Sequence, residues 1–230
     1  MAATSIPSPD LSQSLSSLEN NPNANRTPEL RDYDSFLMLD GFSVDKNDCF
    51  PDHPHRGFET VTYMLEGQFQ HEDFARHKGT IGPWGFAHKM CEPQYQELLD
   101  EQISRAKLQD GVVIKVIAGE SHGVKFQIYT RTPTILLNFK MYKDQTVSQT
   151  IPTTYTGFIY VLSGTAYIGD PNSETEAKFY HTILLSEDST STVRIQTKDE
   201  AGHFVLIAGE SLKEPVVQVG SFVMNTREEV

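Results

Sequence analysis

The sequence predicts an all-β chain organised as two β-barrels in tandem, the first incomplete, joined by one helix. Three observations predict it. Short runs dense in β-branched and aromatic residues recur along the chain from residue 60 to residue 224. Gly, Pro, Asp or Asn punctuates many of the gaps between them, and these are the residues that turns require. A motif also repeats: Tyr63-Met64-Leu65-Glu66-Gly67 is matched by Tyr160-Val161-Leu162-Ser163-Gly164, and each follows a Gly-Phe pair, Gly57-Phe58 and Gly157-Phe158. Short strands with frequent turn signals imply a sandwich or barrel, and the internal repeat implies two similar units.

Taken in order, residues 1–30 are rich in Ser, Pro and Asn. Such a segment buries too little surface to offset its ordering entropy, which predicts a disordered tail. Order is expected from near Tyr33, with the apolar run 36–39. Strands are expected over 60–65 and 68–71, then over 112–118, 135–142, 158–162, 165–168, 181–185, 193–197, 203–207 and 216–224. One helix is expected over 92–108. Pro93 suits a first helical turn, Leu98, Leu99 and Ile103 make an apolar stripe, and Asp110-Gly111 closes it. The expected division is therefore a tail (1–30), a truncated first barrel with its linking helix (31–128) and a second barrel (129–230).

The totals exclude several functions. The chain has 230 residues and a formal net charge of −12. An acidic surface opposes direct binding to nucleic-acid phosphates or to an anionic membrane. No Lys/Arg cluster reads as a basic nuclear signal, and no apolar run is long enough to span a bilayer. The first residues lack the basic start and apolar stretch of a secretory signal. Asp10, Glu19 and the lack of Arg before Arg26 argue against a plastid transit peptide. The sequon at Asn25 then carries no meaning. Cys49 and Cys91 are too few for a disulfide framework and read as free thiols in a reducing compartment.

The chemistry-bearing segment is Phe50-Pro51-Asp52-His53-Pro54-His55-Arg56-Gly57-Phe58-Glu59. Residues i and i+2 of a strand point to one face, so His53 and His55 can aim two imidazole nitrogens at one point. Pro54 cannot donate to a ladder and suits a strand start or an edge. Glu59 has the same parity if the strand runs straight through Gly57. Two histidines and one carboxylate with open positions form the ligand set of non-haem Fe(II) oxygen chemistry. The competing reading is an ordinary pair of surface or turn histidines.

The run from Phe50 to Gly67 resembles the signature of the pirins, two-barrel members of the cupin superfamily. The resemblance continues through His71-Glu72-Asp73, His77-Lys78-Gly79-Thr80-Ile81-Gly82-Pro83, Glu92-Pro93-Gln94-Tyr95-Gln96-Glu97, Val116-Ile117-Ala118-Gly119-Glu120 and Tyr129-Thr130-Arg131-Thr132-Pro133. It returns in Leu206-Ile207-Ala208-Gly209-Glu210 and Phe222-Val223-Met224-Asn225-Thr226.

The resemblance implies an iron in the amino-terminal barrel, held by the two histidines of the first motif and by a His and a Glu of a later His-x-Glu segment. The pair carries over to His53 and His55. The later pair does not. After Gly82-Pro83 the chain passes at once into Trp84-Gly85-Phe86-Ala87-His88-Lys89-Met90-Cys91, which is similar to sequence well downstream in the family. An internal deletion and an altered amino terminus are therefore expected, with Glu228 and Glu229 as the first turn of the family's terminal helix. His71 and His77 read as solvated loop histidines. His88 lies near the splice, and His122, His181 and His203 have no His-x-His partner. Trp84 reads as a core or patch residue.

The resemblance implies two functions. One is an iron-dependent flavonol (quercetin) dioxygenase. The other is a non-catalytic nuclear factor, a transcription co-regulator type that docks on transcription factors or other proteins, present also in the cytoplasm. A third reading is a decayed copy without function. The ligand loss favours a non-catalytic monomer with weak or absent iron at His53 and His55, for which Glu59 is the one available third ligand.

Overall fold

A computed structural model of the chain describes residues 3–7, 24–26, 33–37, 39–42, 58–65, 67, 69–72, 78–81, 84–87, 96, 98–126, 128, 130–185, 192–220 and 222–229. Among these the chain is almost entirely β. The first strands are β1 (Ala3–Pro7), β2 (Ala24–Arg26), β3 (Asp40–Phe42), β4 (Thr60–Tyr63), β5 (Phe69–Glu72), β6 (Lys78–Ile81) and β7 (Trp84–Ala87). Then come β8 (Ser104–Gln109), β9 (Val112–Ser121), β10 (Val124–Phe126), β11 (Thr134–Met141), β12 (Thr146–Thr150) and β13 (Tyr155–Ile168). The last are β14 (Thr175–Lys178), β15 (His181–Leu185), β16 (Thr192–Gln196), β17 (Gly202–Glu210), β18 (Val217–Val219) and β19 (Phe222–Met224).

Two compact units divide the chain, and they are interleaved in sequence: one takes 1–50 with 104–213, the other 51–103 with 214–230. A division in sequence order at 30/31 and 128/129 is what the composition suggests. The first unit draws in the chain's beginning because β1 pairs antiparallel with β15, Ala3 opposite Leu185. Within the segment expected to be a disordered tail, Ala3–Pro7 and Ala24–Arg26 are thus strands, and its other residues lie outside those described.

The large sheet of the first unit runs β1-β15-β13-β17-β11-β9-β10, with β8 also on β9, and β14 and β16 on the far half of β13. All these pairings are antiparallel. Alternation fills the core. Ile114 and Val116 of β9, Leu137 and Phe139 of β11, Ile159 and Val161 of β13, Ile183 of β15 and Phe204 and Leu206 of β17 are fully buried. Phe139 and Phe204 stack with ring centroids 5.1 Å apart. Burying one such side chain contributes roughly 2–3 kcal/mol, so this sheet supplies the stability of its unit.

The expected strands appear near their expected places, with two merged and one split: the stretch 216–224 is not one strand but the hairpin of β18 with β19, which turns at Gly220. The stretches 158–162 and 165–168 form one strand, β13, with a register shift between Val161 and Ser163. The irregularity lets one chain serve two neighbours: its first half pairs with β15 and β17, its second with β14 and β16. Such bulges bend a strand and close a sheet on itself. The two glycines of the repeat, Gly67 and Gly164, share the left-handed backbone, with φ of 79° and 71°.

The linking helix expected over 92–108 is corrected. Asp100–Gln102 is a single 3-10 turn, and Ser104–Gln109 is strand β8, paired with β9. Residues 92–95 and 97 lie outside those described. The cause is Asp110-Gly111. Gly111 has φ of 110°, and this dipeptide turns a hairpin between β8 and β9 instead of ending a helix. Near the end of the chain, Arg227–Glu229 forms a 3-10 turn, and Thr226 donates its backbone N–H and hydroxyl to Glu229 Oε2 at 3.0 and 3.1 Å. This is the capped first turn expected at Glu228 and Glu229.

Candidate functional site

His53 and His55 lie outside the described residues, as do His77, His88, Cys49 and Cys91. The geometry of the site is set by the strand that continues from the motif and by that strand's neighbour. Glu59 stands directly before β4; it is half-buried, and its Oε1 is shielded from solvent. Continuing the alternation of β4 back by one residue puts Glu59 on the face of Val61 and Tyr63. On that face Val61 is 43% exposed, whereas Glu59 Oε1 is shielded.

The neighbour of β4 decides what else can reach this place. β4 pairs antiparallel with β7: Thr60 opposite Ala87, Val61 opposite Phe86, Thr62 opposite Gly85 and Tyr63 opposite Trp84. β7 comes directly after Gly82-Pro83. In this chain the ladder position beside β4 is thus filled by Trp-Gly-Phe-Ala, residue types that offer no imidazole, thiolate or carboxylate. The other hairpin of this region, β5 with β6, sets His71 opposite Gly79. Among the described residues, no three His, Cys, Asp or Glu side chains gather as a group that could hold a metal ion. Among the described residues, the strand paired with β4 carries no His-x-Glu pair. A three-donor set of His53, His55 and Glu59 is the most the motif offers.

The remaining histidines are occupied locally. His122 sits in the turn between β9 and β10 with φ of 48°, and its Nδ1 lies 2.9 Å from Ser121 Oγ. His181 Nδ1 lies 3.1 Å from the Lys178 carbonyl. His203 of β17 is different. Its Nε2 accepts a hydrogen bond from the Asn138 side-chain amide at 2.8 Å, and Asn138 in β11 is fully buried. Burial first, then the nearby Lys140 and Lys115 cations, push its pKa down to about 4, so the ring is neutral near pH 7.

Two groups escaped the sequence reading. Asn138 interrupts the apolar run of β11, Ile135-Leu136-Leu137-Asn138-Phe139, and a polar residue in a buried strand is a readable signal. Asp34 carries no local signal at all. Its carboxylate accepts from Ser35 N at 2.6 Å, Leu212 N and Lys213 N at 3.0 Å each, and the Ser211 hydroxyl.

Known proteins resemble this chain in both sequence and fold. Residues 17–91 match the family model described as Pirin, and residues 136–230 match the Pirin C-terminal cupin domain. The chain is 44% identical over 237 residues to pirin of Homo sapiens, with 88% of this chain and 81% of that protein aligned. That alignment is longer than the part of this chain that enters it, so the relative carries residues that this chain lacks. A quercetin 2,3-dioxygenase from Acinetobacter baumannii superposes with a TM-score of 0.80 at 23% identity, covering 100% of this chain and 92% of the other. A bacterial pirin, YhhW from Escherichia coli, in complex with nickel(II), superposes with a TM-score of 0.64 at 12% identity, covering 91% and 99%. At these identities the two structures speak for the fold alone.

Proposed function

The chain belongs to the pirin family, and we propose that within it this is a non-catalytic, protein-binding member, a nuclear co-regulator type that acts as a monomer on other proteins. The observation that carries the proposal is the register of β4 with β7. The strand hydrogen-bonded to the one after the His53-Pro54-His55 motif brings no metal ligand, where the resemblance implies a third His and a Glu from a later segment. Val61, two residues after Glu59, is 43% exposed, so water reaches that part of β4. Water access weakens the hydrogen-bonded support that fixes each ligating imidazole. The net charge of −12 suits a basic protein surface and opposes direct contact with DNA.

A second reading is favoured by one observation, the shielded Oε1 of Glu59 just before β4. With His53 and His55 it would complete a three-donor site for iron, the minimum for the flavonol dioxygenase alternative.

Metal content separates the two. The protein purified and dialysed without chelator is expected to hold well under one iron per chain and to leave quercetin unconsumed. One iron per chain that survives dialysis, lost in Glu59→Ala and accompanied by quercetin cleavage, would overturn the non-catalytic proposal. A tagged copy is expected to accumulate in the nucleus together with a bound protein, and exclusion from the nucleus would remove the co-regulator part.

A further inference from the structure

β8, β9, β11 and β17 are successive neighbours in the sheet of the first unit. One face of these strands is core: Ala106, Ile114, Phe139 and Phe204 lie in register across it and are buried. The residues on either side of each point to the other face. Two rows of that face run across the strands. One is Arg105, Lys115, Asn138 and Val205; the other is Lys107, Val113, Lys140 and His203. Arg105, Lys107 and Lys140 are exposed, Lys115 and His203 are half-buried, and Asn138 is buried.

This grouping runs against the composition. The chain has 31 Asp and Glu to 19 Lys and Arg, yet the two rows hold four such cations and no carboxylate. It also runs against stability, because Arg105 stands directly opposite Lys115, and like charges so placed destabilise a strand pair. Further along β9 the fold makes the other choice: Glu120 stands opposite Lys125 of β10, and the two meet at 3.0 Å. The positive field is felt inside the patch. After burial, the Lys140 and Lys115 cations are what hold the His203 ring down to about 4.

We propose that the face bearing Arg105, Lys107, Lys115 and Lys140 is a docking surface for a short acidic segment of a partner protein. Charge complementarity names the chemistry, and size names the class. Neighbouring strands lie about 4.8 Å apart, so four strands span about 15 Å. An extended segment of four or five residues covers that width. A nucleic-acid duplex would run past the patch onto the rest of a chain of net charge −12, where it is repelled. Val113 lies between Lys107 and Lys140, which stand roughly 10 Å apart at the backbone. The segment that fits has carboxylates on both sides of an apolar residue. This rests on the protein-binding reading above for the class of partner and gives that reading a surface. A partner with a basic surface and one acidic segment satisfies both the net charge of the chain and this patch.

The test uses the full chain and a fluorescent peptide, Glu-Asp-Leu-Asp-Glu, with Gln-Asn-Leu-Asn-Gln as the neutral control. The acidic peptide is expected to bind, more weakly as salt rises, and the neutral one is not. Lys107→Glu/Lys140→Glu is expected to lose roughly tenfold or more in affinity. Lys125→Glu/Lys178→Glu changes the net charge equally at two other exposed lysines and is expected to bind as wild type does. Bound carboxylates are expected to raise the His203 pKa from about 4 toward 6.5, read by NMR of the ring, since a nearby anion favours the charged form. Equal loss in the two double variants would make net charge the cause and overturn the proposal. So would an unmoved His203, or tighter binding of a short oligonucleotide or of phosphatidylserine vesicles than of the peptide. If the double variant does not fold, Lys107→Gln at its exposed position decides: a partial loss supports the surface, and none overturns it. Exclusion of the protein from the nucleus would sink the co-regulator role and leave the peptide result standing, whereas failure to bind the peptide would remove this surface alone.

Discussion

His203 is a titratable side chain held neutral by its surroundings, and the sign of its effect on stability can be worked out from the two pKa values. Its folded pKa, about 4, lies below the ordinary value of 6.5, so the unfolded chain takes up a proton first as pH falls. Stability is therefore complete above pH 6.5, declines between 6.5 and about 4, and is flat in this respect below that. Because the ring keeps some contact with solvent, the loss is about 1–2 kcal/mol, less than the full linkage value. Urea midpoints measured across this range should fall for wild type and change little for His203→Gln; an unchanged slope in the variant would assign the dependence elsewhere. Asp34 titrates in a separate window. Burial tends to raise its pKa, but the hydrogen bonds from Ser211, Lys213, Leu212 and Ser35 outweigh burial and leave it below 3.8. Its contribution is present above 3.8 and disappears as pH falls through the lowered folded value. Asp34→Asn should abolish the acid-limb loss and cost roughly 1–3 kcal/mol at neutral pH. Of these groups, Asn138 was legible as a polar residue in an apolar strand. Asp34 was not, because Ser211 lies 177 residues away in sequence, beyond any local pattern.

At the scale of the element, strands were legible where β-branched and aromatic residues alternate, and the expected bounds for β15, 181–185, match Thr182 and Ile183 buried between β1 and β13. The failure at 92–108 is instructive. Leu98, Leu99 and Ile103 have a helical spacing, and Arg105-Ala106-Lys107-Leu108 are good helix formers. Local propensity lost to the Asp110-Gly111 turn, which returns the chain onto β9, where Ala106 packs into the core opposite Ile114. The merged β13 shows the other side of turn chemistry. Ser163-Gly164 reads as a break, yet it is a bend inside a continuous strand. Gly164 has φ of 71°, and an added Cβ would lie 1.9 Å from the Ala201 carbonyl oxygen. Gly164→Ala is thus expected to cost about 3 kcal/mol, the sum of a left-handed strain and a backbone collision. A thermal melt of the variant that matches wild type would refute the role given to this bend. Gly67, with φ of 79° but nothing within 4 Å, should lose only the smaller conformational part, about 1 kcal/mol.

For the whole molecule, an all-β chain was legible from the repeat and the strand spacing, but the interleaving of its two compact units was not. Which strand closes a sheet edge depends on long-range pairing, and β1 on β15 joins residues more than 170 positions apart. The same topology predicts where stability resides. β13, β17 and β11 are each hydrogen-bonded along both edges and carry Ile159, Val161, Phe204, Leu206, Leu137 and Phe139 with no exposed surface. Their amides can open only when the unit's core opens. β18 and β19 pair with each other as a two-stranded sheet joined at Gly220, with Val216 and Val219 exposed; two strands alone are marginal in water. Native-state hydrogen exchange should therefore find Phe158 to Val161 exchanging at the rate of global unfolding and Val217 to Val219 roughly 100-fold or more faster. The β1 amides should fall between, since among the described strands β1 is an edge strand paired with β15. If Ile159 exchanged as fast as Val217, the sheet would not be the stable body of the protein.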